Sequence, residues 1–359
     1  MKLFDDIYRG KKVLVTGHTG FKGSWLSLWL HELGANISGI SLSPESSPNH
    51  WDMLGLCVDD RRIDVRDFDG ISKAVQEIQP DIVFHLAAQP LVRRSYRDPL
   101  ETWSTNVMGT ANILEACRLT SSVSAVVVVT TDKCYQNNEW TWGYRETDSL
   151  GGHDPYSASK AGAELVTASF RDSFFNKSND LYVATARAGN VIGGGDWSED
   201  RLIPDLIRSM QANKSTEIRS PNSTRPWQHV LEPLSGYLLL GQKLLLGDKA
   251  FADAWNFGPE PSGNQPVSKI VLNLGKIWGE LKWHTSNKRH PHEANLLYLD
   301  SSKARNKLNW KPVWDVDVAL KNTALWYYEW MQNGQLASQK QLAEFIAASI
   351  NADAIWADV

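Results

Sequence analysis

The 359-residue chain is 42% apolar and 22% charged, the balance of a folded protein with enough core for one large unit or two connected ones. Its formal charge of −4, from 41 acidic and 37 basic residues spread along the chain, leaves no basic run for a polyanion and argues against nucleic acid as a partner. No apolar run reaches the ~18–20 residues that span a bilayer, and MKLFDDIYRGKK is charged where a signal peptide is apolar, so no membrane partner and a cytoplasmic location are expected.

From residue 11 short β-branched runs alternate with longer amphipathic ones, the pattern of parallel strands joined by crossover helices. KKVLVTG predicts the first strand, residues 24–33 a helix, ANISGISL the second strand, and RRIDVRD a third short strand ending near Asp64. Residues 70–78 predict a helix, IQPDIVFHLAA a strand ending at 85–88, and residues 102–118 a helix. VVVVTTDKCYQ then opens as a strand buried on both faces, followed by a helix over 157–175 and a strand in LYVATARAGNVIG ending near Arg187. Nearly continuous apolar strands of this kind lie in a doubly wound parallel sheet, so the fold class is α/β, Rossmann-like. Beyond about residue 190 the alternation degrades into a Gly-rich loop, GGGDW, then a helix, strand-like pieces and a helical end from Val316. The expected organisation is a dinucleotide-binding domain over 1–190 and a smaller C-terminal α/β lobe over 191–359 that binds substrate, with strands free to interleave.

Gly17, Gly20 and Gly23 follow the first strand and open a helix. There the chain must turn sharply and let a pyrophosphate approach unpaired N–H groups at the positive end of the helix dipole. The second strand ends in Ser41, Leu42, Ser43 and Pro44, with neither an acid for the adenosine ribose nor a base for a 2′-phosphate; NAD is expected rather than NADP. Asp64, with Val65 beside it, is either an acceptor for an adenine amino group or a turn carboxylate. Tyr156 and Lys160, four apart at a helix start, share one face, which brings an ammonium to a phenol that must ionise near neutrality to act as a base. Thr130 and Thr131 end the valine strand with hydroxyls for a substrate alcohol. Asp132 and Lys133 follow; strand alternation sends neighbours to opposite faces, so both reach one ligand only if the strand has already ended.

Cys57, Cys117 and Cys134 are odd in number, far apart and without histidines at ligand spacing, so reduced thiols and no metal site are expected. The 16 tryptophans read as packing in the core and at subunit contacts. His290 and His292 have ligand-pair spacing but no third ligand nearby, and EWTWGYRETD is either a cover over the site or packing.

GHTGFKG, HLAAQ, TTDKCY, YSASK and ARAGNVIG occur in the order found in extended short-chain dehydrogenase/reductases acting on nucleotide sugars, which the chain resembles over essentially its whole length. Within them it is most similar to the branch that dehydrates CDP-glucose at C4 and C6 in deoxysugar biosynthesis. The resemblance implies an NAD-dependent hydro-lyase. Thr131, Tyr156 and Lys160 would be the hydroxyl, base and lysine of an oxidation at C4, and Asp132 and Lys133 the pair for removing water across C5 and C6. Phe21, Lys22, Leu86, Ala87 and Ala88 would line the cofactor. Asn190, Arg201, Arg219, Arg225 and Arg289 would meet the diphosphate and ribose of the nucleotide sugar. Relatives with an Asp-Glu pair leave two roles open for Lys133: the C5 base, or a cation stabilising the enolate. A homodimer or homotetramer pairing through 102–118 and 157–175 is also implied. A nucleotide-sugar 4-epimerase and a non-catalytic nucleotide-binding regulator stand as alternatives.

Overall fold

The computed structural model describes residues 2–175, 181–279, 281–286 and 296–357. Seven parallel strands form the central sheet: β1 (Lys12–Thr16), β2 (Asn36–Ser41), β3 (Asp59–Arg62), β4 (Ile82–His85), β5 (Ala125–Val129), β6 (Tyr182–Arg187) and β7 (Ala254–Asn256). Their spatial order is β3-β2-β1-β4-β5-β6-β7, as in a Rossmann fold with an added edge strand. The order reverses between β1 and β4, where Val15 pairs with Ile40's neighbour Gly39 on one side and with Phe84 on the other. A crevice opens outside the carboxyl ends of the strands at such a switch point.

The central strands β4 and β5 are buried on both faces. Val127, Val129 and Phe84 point into one apolar cluster, while Val126, Val128 and Val83 point into the other. All five residues of β5 are buried, and each buried valine contributes roughly 1.5–3 kcal/mol, which is why this run accepts no polar residue until the strand is over. Among the helices that cover the sheet and complete the lobe, we label α1 (Phe21–Glu32), α2 (Phe68–Ile78), α3 (Gly109–Arg118), α4 (Pro155–Phe170), α5 (Leu202–Gln211), α6 (Leu231–Leu245) and α7 (Val316–Asn333).

Helices begin earlier than periodicity predicts because their caps are polar or proline. Asp67 caps α2, Asp154 forms a capping box with Ser157 ahead of Pro155 in α4, and Asp98 with Pro99 starts the helical run leading into α3. The predicted helix over 157–175 ends in a π-wound turn, Arg171–Phe175. Strand β3 stops two residues short of Asp64. After residue 190 the chain returns to the sheet with β7, whose Trp255 pairs with Ala186 of β6. Six of the tryptophans, Trp25, Trp29, Trp255, Trp310, Trp326 and Trp356, are fully buried in the core, whereas Trp103 and Trp142 are exposed. Among the described residues no helix is long and apolar enough to cross a membrane.

Candidate active site

A cleft of about 1290 Å³ runs along the carboxyl edge of the sheet, lined by β1, β2, β4 and β5 ends on one side and by segments after residue 188 on the other. Every described residue singled out in the sequence as a site residue lines it; Arg289, with His290 and His292, lies outside the described residues.

The nucleotide end is built from backbone. Gly17 has φ +72°, and a Cβ there would stand 2.7 Å from the Ala87 nitrogen, so only glycine brings the loop this close to β4. Gly20, extended at φ −77°, ψ 170°, opens α1 without a side-chain cap, and no acidic residue occupies the first turn. The first-turn N–H groups are left for an anion, and Gly23 keeps the helix pressed against the Gly17 carbonyl. These residues fit a dinucleotide pyrophosphate. Leu86, Ala87 and Ala88 continue from β4 along the same wall, and the Ala87 N–H donates to Thr16 Oγ1 at 3.2 Å. Asp64 faces the cleft but is pinned by Arg66, which donates from Nη2 at 2.5 Å and from its backbone N–H at 2.9 Å; this holds the carboxyl below its usual range. Val65 is buried beside it.

At the chemical end β5 stops at Val129, and Thr131 caps a single 3-10 turn, Asp132–Cys134, its Oγ1 accepting from the Lys133 N–H at 3.3 Å. The strand has therefore ended before the acid and the amine, and successive side chains of a 3-10 turn are about 120° apart rather than opposed. Both line the cleft. Asp132 is 1% exposed; it accepts from Thr131 Oγ1 at 2.9 Å, and its other oxygen is packed where a Cβ on Gly189 would stand, 2.0 Å away. Lys133 is half-buried.

Tyr156 and Lys160 rise from the first turns of α4. Burial pushes the Tyr156 phenol up to about 12, while its hydrogen bond with Thr131 and the charge of Arg201 pull the other way. Burial lowers Lys160 to about 8, opposed by Glu164, and its Nζ donates to the Val129 carbonyl at 3.2 Å. Lys22 is lowered further, to about 7, by burial and by the charge of Arg201, with Asp132 opposing; its Nζ is 3.4 Å from Tyr237 Oη on α6.

On the far wall, Arg201 donates to Asp196 at 3.0 Å and Arg219 stands 3.6 Å from Asp200, which also accepts from Arg93 at 2.8 Å. Arg225 is buried and donates to the Thr224 carbonyl at 3.0 Å; Asn190 takes a left-handed φ of +33° at the end of ARAGN. Arg201 thus acts on the phenol through its charge while it holds the loop at Asp196. Tyr237 and the buried pair Glu164–Arg187 were not singled out in the sequence. The first carries no motif, whereas Glu164 was visible as one more step of four beyond Tyr156 and Lys160.

Fold and cleft define a Rossmann-type enzyme with the tyrosine–lysine couple of the short-chain dehydrogenase/reductases. The chain belongs to the GDP-mannose 4,6 dehydratase family, whose model matches residues 14–323. It is similar to a CDP-glucose 4,6-dehydratase of Salmonella typhimurium, at 46% identity over 96% of this chain and 98% of that protein. A probable dTDP-glucose 4,6-dehydratase of Sinorhizobium fredii is 27% identical over 89% of this chain and 93% of its own length. Among solved structures, an epimerase from Methanothermobacter thermautotrophicus superposes with a TM-score of 0.79 at 24% identity, covering 91% of this chain and 95% of that one. A dTDP-glucose 4,6-dehydratase from Streptomyces venezuelae with NAD bound gives 0.74 at 23%, covering 88% and 97%.

Proposed function

We propose that this protein is an NAD-dependent hydro-lyase that converts CDP-D-glucose to CDP-4-keto-6-deoxy-D-glucose. The observation that carries the reading is the convergence of Thr131, Asp132, Lys133, Tyr156 and Lys160 on one cleft, in a chain 46% identical to a CDP-glucose 4,6-dehydratase. An epimerase has no use for an acid and an amine beside the phenol, and a regulator has no use for the phenol.

Bound NAD, held by the Gly17–Gly23 turn and the wall at residues 86–88, would supply the hydride acceptor for C4 and the hydride donor for C6. Tyr156, as phenolate, accepts the C4 hydroxyl proton, with Thr131 aligning that hydroxyl. The charge of Arg201 and the hydrogen bond with Thr131 offset part of the cost of burying the phenolate, and Lys160, four residues on along the same helix face, brings an ammonium to that side. The resulting ketone acidifies C5. Lys133, beside Asp132 on the cleft wall, takes the C5 proton. Asp132 delivers a proton to the C6 oxygen as it leaves as water, and Lys133 returns a proton to C5 once the hydride has arrived.

Gly17, Gly20, Phe21, Lys22 and Gly23, with Asp64, Val65 and residues 86–88, hold the cofactor. Asn190, Arg201, Arg219 and Arg225 hold the diphosphate and nucleoside ribose, Arg supplying bidentate geometry. The division of labour falls near residue 190. We place the protein in the cytoplasm as a homodimer or homotetramer paired through the helical run Pro99–Trp103 to α3 and through α4. Leu100, Trp103, Met108 and Leu165 expose 79%, 41%, 56% and 61% of their surface there.

Incubating the protein with CDP-glucose and weighing the sugar nucleotide tests the reaction. Loss of one water supports it; an unchanged mass contradicts it. The same assay across CDP-, dTDP-, GDP- and UDP-hexoses tests the base.

A further inference from the structure

Glu164 follows Lys160 by four residues, as Lys160 follows Tyr156, so the three share one face of α4. Neither Glu164 nor its partner Arg187 lines the cleft, and the two side chains are 3% and 4% exposed. The carboxylate accepts from Thr130 Oγ1, from Thr185 Oγ1 at 2.7 Å and from Arg187 Nη2 at 2.7 Å. Burial raises its pKa, but Arg187 and these hydrogen bonds more than offset that and hold it ionised. Arg187 donates in turn to Tyr135 Oη at 2.7 Å, and Tyr135 Oη donates to Asn256 Oδ1 of β7 at 2.7 Å. Thr130 and Tyr135 bracket the segment Thr131–Cys134. One carboxylate thus grips that segment directly at its start and through Arg187 at its end.

Desolvating an ion pair offsets most of its attraction, and an apolar pair of similar volume would close the same space at least as stably. What the pair adds is charge. Lys160 shares a helix face with Tyr156 and Glu164, and it interacts electrostatically with Glu164, with Cys134 on the turn after β5, with His85 at the end of β4 and with Lys22 on α1. Burial holds the His85 ring neutral and pushes the Cys134 thiol up, so near neutral pH neither supplies a charge. Lys22 opposes a charged Lys160. Glu164 is the carboxylate that favours it.

We infer that Glu164 is a positioning residue: its charge keeps Lys160 an ammonium inside a buried site, and its hydrogen bonds fix the Thr131–Lys133 turn opposite Tyr156. This rests on Lys160 serving the oxidation proposed above. The group gives up no proton in the reaction; it acts through Lys160.

The test is the titration of Lys160 in the NAD-loaded protein, read as its rate of acetylation by acetic anhydride against pH and quantified by mass spectrometry. In Glu164→Gln the midpoint should fall by about one pH unit, and in Arg187→Gln, which leaves the carboxylate uncompensated, it should rise. The basic limb of kcat should move in the same directions. A network that only braces the turn would lower kcat in both variants and shift neither titration. If a single variant fails to fold, Glu164→Asp and the double variant Glu164→Gln, Arg187→Gln replace it: the first should keep the parent midpoint and the second lower it. Midpoints that stay put, or move the same way in both single variants, overturn the inference. A parent protein that leaves CDP-glucose unchanged in mass overturns the proposed reaction instead, while the acetylation midpoints still decide the role of Glu164.

Discussion

On the sheet side of the cleft the reactive groups are held by short buried contacts, whereas on the far side two of the candidate substrate cations, Arg201 and Arg219, are paired with carboxylates. Thr131 is fixed to Asp132 at 2.9 Å and Lys160 to the Val129 carbonyl at 3.2 Å, all within a few per cent of full burial. Arg219 and Arg93 meet over Asp200, which is 26% exposed, and Arg201 holds Asp196. The partly exposed pairs at Asp200 are worth about 0–1 kcal/mol each, less than a charge-assisted bond to a phosphate. On the proposed function, one wall is thus set in place before substrate arrives, and the other exchanges its partners for the diphosphate.

The contrast predicts losses of different kinds. Tyr156→Phe removes the base from the preformed wall; turnover should fall by roughly 10²–10⁴-fold while NAD still binds, seen by steady-state kinetics and by titration with the dinucleotide. Lys133→Ala should leave oxidation intact and stall elimination, so reduced nicotinamide and a C4-oxidised sugar build up in a single turnover; absence of that build-up counts against a role for Lys133 in removing water. On the exchanging wall, Arg219→Ala should raise KM for the nucleotide sugar about tenfold, about 1.4 kcal/mol, with kcat little changed. Asp200→Asn relieves Arg219 and Arg93 of a competing carboxylate and should lower KM a few-fold. A rise in KM for this variant would mean that the loop needs the pairs more than the phosphate does.

The preformed wall is also the part that was legible in the sequence. Gly17, Gly20 and Gly23 sit between a strand and a helix, Tyr156 and Lys160 keep helical spacing, and four valines end where the polar residues begin; each is a local pattern with a local cause. The exchanging wall was legible only as a set of arginines, because which carboxylate each one meets depends on loops brought together from distant positions, as with Arg93 and Asp200. Strand β7 escaped notice since three residues, Ala254–Asn256, carry no periodicity. Asp64 left two readings open, and the structure ties it to Arg66 while leaving it on the cleft wall. Glu164 was one helical step from the motif, but its partners Thr130, Thr185 and Arg187 come from two other elements.

On the proposed function, one cleft carries out oxidation, elimination and reduction on a single hexose without releasing the hydride. With CDP-glucose deuterated at C4, the expected product is lighter by one water and carries the deuterium at C6. Deuterium retained at C4, or lost to solvent, would contradict it.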